Sequence, residues 1–255
     1  MSLRRTARAT GISLGSVHII ASGILNLYPY RIKLLHELKP PDYGRRKKFA
    51  KWFQDTPFVE RFFTASDEAY FHIDGNVNNY NFRIWSKENP NIVEEKQLQP
   101  AKCLVWCAIS ANKIIGPYFF DSTVNGDNYL EMLQQFFWPE HKVQKLHSHY
   151  YFQQDGAPAH RAKVVQDWLK DKFGDKFLKS NLWPPRSPHL NPCDFFLWGY
   201  LKDRVYRKKF ETIEELKEEI KNEIKKITKI TLNSVFKEMK KRCLICIQNK
   251  GGHVE

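Results

Sequence analysis

The feature that most constrains the fold is a change of hydrophobic period near residue 60. Upstream the apolar residues recur at helical spacing, as in the stretch from Tyr43 to Gln54, which reads as a basic helix. Downstream come AYFHI (69–73), FRIW (82–85), KCLVWCAIS (102–110) and KIIGPYFF (113–120), short runs rich in aromatic and β-branched residues, separated by turns containing Asn, Gly or Pro. They predict an antiparallel meander. The period then alternates: Asn125 to Trp138 is helical, HYYFQQ (149–154) is a strand, and Arg161 to Phe173 is a second amphipathic helix. Beyond Pro192, CDFFLWGYLKDRVY places Phe195, Trp198, Leu201 and Val205 on one helical face, and Glu211 to Thr228 and Leu232 to Asn249 predict two further helices. Strands followed by alternating helix and strand predict an α/β fold, a mixed sheet flanked by helices.

Charge divides the chain differently. Residues 1 to 50 carry ten Lys/Arg against two Asp/Glu, residues 201 to 250 carry fifteen against eight, and the middle is close to neutral. Basic flanks around an acid-containing centre fit a polyanionic partner, because Lys/Arg that neutralise phosphates release condensed counterions. For the Lys/Glu-alternating stretch from Glu211 to Lys229, a solvated helix face accounts for the charge as well. Five cysteines, an odd number, and no apolar segment after Met1 predict a reducing compartment, and no apolar run approaches the roughly 20 residues of a membrane span. Cys243 and Cys246 have zinc-knuckle spacing, but only His253 stands near as a third ligand, so an incidental pair is the expectation.

The first residues, SLRRTARATGISLGSVHIIASGIL, read as a short helix, a turn at Gly11 and a second helix capped by Ser13. This is the spacing of a helix-turn-helix, and equally of a plain helical hairpin. In the first case the second helix offers Ser16 and His18 to a DNA groove, with Arg4, Arg5 and Arg8 near phosphates. Pro29, Pro40, Pro41 and Gly44 then punctuate a linker that ends in Arg45-Arg46-Lys47-Lys48, which fits a nuclear localisation signal, a DNA-backbone contact or a solvated face. The domain expectation is therefore 1–27 for a partial helix-turn-helix, 28–60 for a linker with the basic helix, and 61–255 for the strand-containing domain.

Three acids carry the chemistry. Asp67 lies in SDEAYFHID at the start of the first expected strand, Asp155 in YFQQDGAPAH just past a later strand, and Asp194 in WPPRSPHLNPCDFFLW near the start of a helix. Carboxylates from three elements suffice to hold hard divalent cations beside a phosphate, and a Gly turn after a strand lets Asp155 project into the crevice there. Taken singly, each Asp is also a turn former or cap. Glu68 alternates away from Asp67, Asp74 precedes Gly75 in a turn, and both read as structural. His160 fits either a place near the reacting phosphate or a helix-start hydrogen bond. Pro184, Pro185, Pro188 and Pro192 fix the approach to the third helix, a structural role that serves the chemistry.

The phrases FQQDGAPAH and WPPRSPHLNPCDFFLWGYLK resemble the second and third catalytic motifs of mariner-type transposases of the DDD/DDE superfamily, in which the third acid follows PxSPxLxPxD; SDEAYFHIDG resembles the first. The resemblance implies a ribonuclease H-like core with Asp67, Asp155 and Asp194 as a triad for Mg²⁺ or Mn²⁺. It also implies a DNA transposase that cuts and joins at inverted-repeat ends and at target DNA, working as a homodimer in the nucleus. Between Asp155 and Asp194 lie 38 residues, a longer interval than the best-known mariner spacing. Mariner-type proteins normally carry two helix-turn-helix units, so the resemblance reads this chain as starting inside the second, N-terminally truncated, with Ile19 and Ile20 where a basic residue is expected after His18. The alternative is a catalytically silent or domesticated remnant that only binds DNA or dimerises.

Overall fold

In a computed structural model of the chain, residues 3–28, 37–75, 101–143, 147–178 and 182–254 are described. The expected strand at 82–85 lies outside them. The chain divides into two compact units, Met1–Glu37 and Leu38–Glu255.

The first unit holds α1 (Leu3–Thr10) and α2 (Leu14–Ile19), the latter continuing as one π-helical turn over Ile20–Ile24. Gly11, at φ 70°, makes the turn between them, a conformation that costs glycine little. The Ser13 side chain caps α2 by accepting the Ser16 amide at 3.1 Å. Only Val17 of these helices is buried, while Ile19 is 66% exposed.

The second unit opens on α3 (Pro40–Asp55). Pro40 and Pro41 had read as linker punctuation; they occupy the first turn of the helix, where no intrahelical N–H is required, and Asp42 accepts the Lys39 amide at 2.9 Å. The helix buries Phe49, Ala50 and Phe53, so residues 38–60 belong to the second unit and are not a free linker.

The sheet has β1 (Phe63–His72), β2 (Lys102–Ser110), β3 (Ile114–Phe120) and β4 (Tyr151–Gln153) in the order β3-β2-β1-β4. β1 and β2 are antiparallel, as are β2 and β3; β4 is parallel to β1, aligning Ala65 with Gln153. Because β2 is covered on both faces it reads as a continuous apolar run, with Val105, Cys107 and Ile109 in one core and Trp106 and Ala108 in the other.

Helices fill both faces. Against one core pack α4 (Gly126–Met132), α5 (Trp138–Lys142) and α6 (Lys163–Phe173), contributing Tyr129, Met132, Val165 and Leu169. A π-helical turn at Leu133–Phe137 joins α4 to α5 just ahead of Pro139, which cannot donate and would clash with the carbonyl one turn back in a regular helix. Against the other core pack α3, α7 (Trp198–Val205), α8 (Ile213–Lys225) and α9 (Lys229–Gln248). The result is the mixed α/β sheet flanked by helices that the change of period predicted. Among the described residues no helix is long and apolar enough to cross a membrane.

Candidate active site

β1 decides where the first acid points. Phe63, Ala65, Ala69 and Phe71 alternate into the core under α3, α7 and α9, and Asp67 falls in that series. The strand begins at Phe63, so Asp67 sits mid-strand and not at its start. The sequence understated β1 because FTASDE is short of β-branched residues; pairing with β2 on one side and β4 on the other holds it extended. The Trp198 indole donates to Asp67 Oδ2 at 2.8 Å. Burial, together with the negative charge of Asp194, pushes the Asp67 carboxyl well above its ordinary range.

Asp194 reaches this position through the proline-rich phrase. A 3₁₀ turn at Pro188–Leu190 buries Leu190, and the Asn191 side chain accepts the Cys193 amide at 3.1 Å. A π-helical turn, Cys193–Leu197, then leads into α7 and leaves Asp194 exposed while Cys193 and Leu197 are buried.

Asp155 follows β4. It stands two residues beyond the last aligned pair, Ala65 and Gln153, at the end of β4 that adjoins β1. Its carboxylate is engaged locally: Oδ1 accepts the Ala157 amide at 2.9 Å and the His160 Nδ1 proton at 2.5 Å. The other ring nitrogen of His160 lies 3.1 Å from Glu68 Oε1. Burial alone would lower His160, but its bonds to Asp155 and Glu68 outweigh this and push it up to about 10, so the ring is an imidazolium clamped between two carboxylates. Burial likewise raises Asp155, and the His160 bond and charge reverse that, holding it below its ordinary value.

The three acids thus form two groups. Asp67 and Asp194 interact on one side; Asp155 is turned to His160 and Glu68. Among the described residues no three His, Cys, Asp or Glu side chains already surround a common point; Asp155 Oδ1 is bonded to His160 and its own turn, and Asp67 Oδ2 to Trp198. The same statement covers Cys243, Cys246 and His253: both thiols are buried and outside any disulfide, that of Cys246 lies beside Arg46, and His253 faces His189. Glu68 is a partner of His160 rather than a bystander, and neither this contact nor that of Trp198 was marked by any spacing in the sequence.

The expected DNA contacts separate as well. Arg4, Arg5, Arg8, Ser13, Ser16 and His18 are exposed on the first unit, and Arg45, Lys47 and Lys48 are exposed on α3. Arg46 is not available to DNA: it is fully buried and its guanidinium is spent on internal acceptors. It shares the inward face of α3 with Asp42 and Phe49, which the run of four cations concealed.

A carboxylate-bearing mixed sheet of this topology defines a class of proteins before any particular one. Residues 64–217 match the family described as DDE superfamily endonuclease. The chain is 31% identical over 229 residues to the transposable element Tc3 transposase of Caenorhabditis elegans, covering 86% of this chain and 63% of that protein. It is 24% identical over 162 residues to the Tcb2 transposase of Caenorhabditis briggsae, covering 61% and 56%. A crystal structure of the mariner Mos1 paired end complex with Mg superposes with a TM-score of 0.78 at 18% identity, covering 100% of this chain and 76% of that one, which establishes the ribonuclease H-like fold. The chain belongs to the DDE superfamily endonucleases. It spans less than two thirds of the length of the curated relatives it matches.

Proposed function

We propose that this chain is a DNA transposase, cutting at the inverted-repeat ends of a transposable element and joining the freed end to target DNA. The observation that carries it is the layout of the three acids on one sheet: Asp67 lies mid-strand on β1, Asp155 follows the end of its parallel neighbour β4, and the turn that carries Asp194 packs on β1 through Cys193, whose thiol lies 3.7 Å from the Ala65 carbonyl.

The donor set fits a divalent cation. Asp67 is raised by burial and by the charge of Asp194, and such a pair of hard oxygen donors gains from a Mg²⁺ or Mn²⁺ ion. Asp67, Asp194 and, once released from His160, Asp155 would hold it, and the cation would supply activation of the attacking oxygen and charge stabilisation at the leaving one. In the first reaction a water oxygen bonds to phosphorus as the bond to the 3′ oxygen breaks; in the second the freed 3′-hydroxyl attacks a target phosphodiester, whose own 3′ oxygen leaves. No covalent protein nucleophile is required. Burial pushes all five cysteine thiols up, Cys103 to about 11, so none supplies a ready thiolate. The Trp198 indole and the His160 imidazolium orient the carboxylates they touch.

The exposed cations Arg45, Lys47 and Lys48 support a polyanionic partner and a nuclear address, and the joining of two ends supports a homodimer. A second reading, DNA binding without chemistry, is favoured by one observation: Asp155 is committed to His160.

The deciding experiment incubates purified protein with a labelled inverted-repeat end and Mg²⁺ or Mn²⁺, beside Asp155→Ala. Metal-dependent nicking that the variant loses is the expected result. Binding without nicking selects the second reading.

A further inference from the structure

Asp42 and Arg46 lie one turn apart on α3, side by side on its buried face. Both grip the proline-rich phrase that delivers Asp194. Arg186 donates to Asp42 through Nε at 2.7 Å and through Nη2 at 2.9 Å, a two-pronged ion pair whose carboxylate is almost wholly buried. Arg46 donates from Nη1 to Ser187 Oγ at 2.8 Å and to the Arg186 carbonyl at 3.3 Å. The remaining edges of the same guanidinium donate from Nε to the Gly251 carbonyl at 2.7 Å and from Nη2 to the Gly252 carbonyl at 2.9 Å.

Those glycine carbonyls follow the C-terminal end of α9, where the helix dipole is negative and a buried cation is favoured. Gly251, at φ 93°, is required there, since a Cβ would collide with the Tyr43 backbone of α3. One planar fork therefore ties three segments together: α3, the tail of α9 and the loop before the third acid. An ammonium could not replace it in full, because its three N–H bonds leave a single atom, whereas the guanidinium spreads its donors over three nitrogens to reach four acceptors.

The loop itself shows the effect. Arg186 is a non-glycine residue at φ 51°, a left-handed conformation that persists when surrounding bonds over-determine it. From Arg186 onward little freedom remains: Ser187 donates to the Pro185 carbonyl, Leu190 is buried, and Asn191 caps the turn that carries Asp194.

We propose that Asp42, Arg46 and Arg186 form a positioning clasp that sets the loop 182–193 and thereby seats the turn that carries Asp194 on β1, where the Cys193 thiol meets the Ala65 carbonyl. They touch no substrate; they act through the third acid. The catalytic part of this inference rests on the function proposed above, whereas its structural part does not.

The test compares Arg46→Met, Arg46→Lys, Asp42→Asn, Arg186→Met and the double variant Asp42→Asn/Arg186→Met with the unaltered chain. Two readouts are taken: amide hydrogen exchange, and metal-dependent nicking alongside binding of the labelled end. Loss of a charge-assisted bond should accelerate exchange in the peptide spanning 182–197 by about tenfold or more, while β1 and β2 keep their protection. Nicking should fall by a similar factor with end binding unchanged, Arg46→Lys should recover only part of it, and the double variant should fall no further than its worse single. Unchanged exchange in 182–197 would overturn the clasp. Equal acceleration in β1 and β2 would also overturn it, by showing general support of the fold. If the unaltered chain fails to nick, the proposed function falls, and the exchange pattern alone still judges the clasp.

Discussion

α1 and α3 are written in nearly the same alphabet and do opposite things. Each carries a cluster of arginines, three in Leu3–Thr10 and two, followed by two lysines, in Pro40–Asp55. No residue of α1 is buried, whereas α3 buries Asp42, Arg46, Phe49, Ala50 and Phe53. What separates them is the apolar content one turn further on. Phe49 and Phe53 commit α3 to the core, and the helical period then forces Asp42 and Arg46 to the same side. With no aromatic residues, α1 keeps its arginines in solvent. A basic run has no fixed meaning until the apolar residues beside it fix the helix's rotation.

The largest expected effect tests that cause directly. Phe53→Ala removes a fully buried ring that packs against Phe49 and Phe63, and should destabilise the second unit by about 3–5 kcal/mol. Leu3→Ala, at a side chain 37% exposed, should change stability by no more than about 0.5 kcal/mol. Urea unfolding of the full chain, followed by far-ultraviolet circular dichroism, which reports the helices of both units, reads both. Comparable losses would erase the distinction between the two helices.

An intermediate effect sharpens the comparison through pH. Burial raises the Asp42 carboxyl, but the Lys39 amide and the Arg186 guanidinium more than offset this and hold it below its ordinary value of 3.8. A group depressed on folding contributes stability that is present above 3.8 and lost as pH falls through the folded value. The unaltered chain should therefore lose stability below that pH more steeply than Asp42→Asn, which has no charge to lose. Parallel acid curves for the two proteins would mean that the Asp42–Arg186 pair contributes nothing.

The same contrast explains how much could be read from the sequence. The covered strands β2 and β3 were legible because VWCAI and IIGPYFF are dense in β-formers. The Ser13 cap and the Gly11 turn were legible because their chemistry is local. The three acids stood out by the phrases around them, and the structure adds their partners. Their grouping was not legible: Asp155 meets Glu68 only through His160, and the distance in sequence from Glu68 to His160 leaves no periodic trace. Arg46 was misread for a related reason, since a charged residue is buried only when its partners arrive, and those at Ser187, Gly251 and Gly252 come from the far end of the chain.

The smallest effect on stability falls on the other side of α3. Arg45, Lys47 and Lys48 project from the helix whose inner face holds Asp42 and Arg46, and exposed substitutions away from packed groups change stability by no more than about 0.5 kcal/mol. Replacing all three by alanine should therefore leave urea unfolding almost unchanged. Its consequence should appear instead in binding: the plot of log affinity for duplex DNA against log salt should lose about 0.9 of slope for each phosphate contact removed. A triple variant that unfolds early would mean that the outer cations help hold α3 down, and an unchanged salt slope would remove α3 from the DNA-facing surface. If stability holds while the slope falls, adjacent residues of one tetrapeptide serve different ends, with Arg46 turned inward to the loop before Asp194 and its neighbours turned outward to a polyanion.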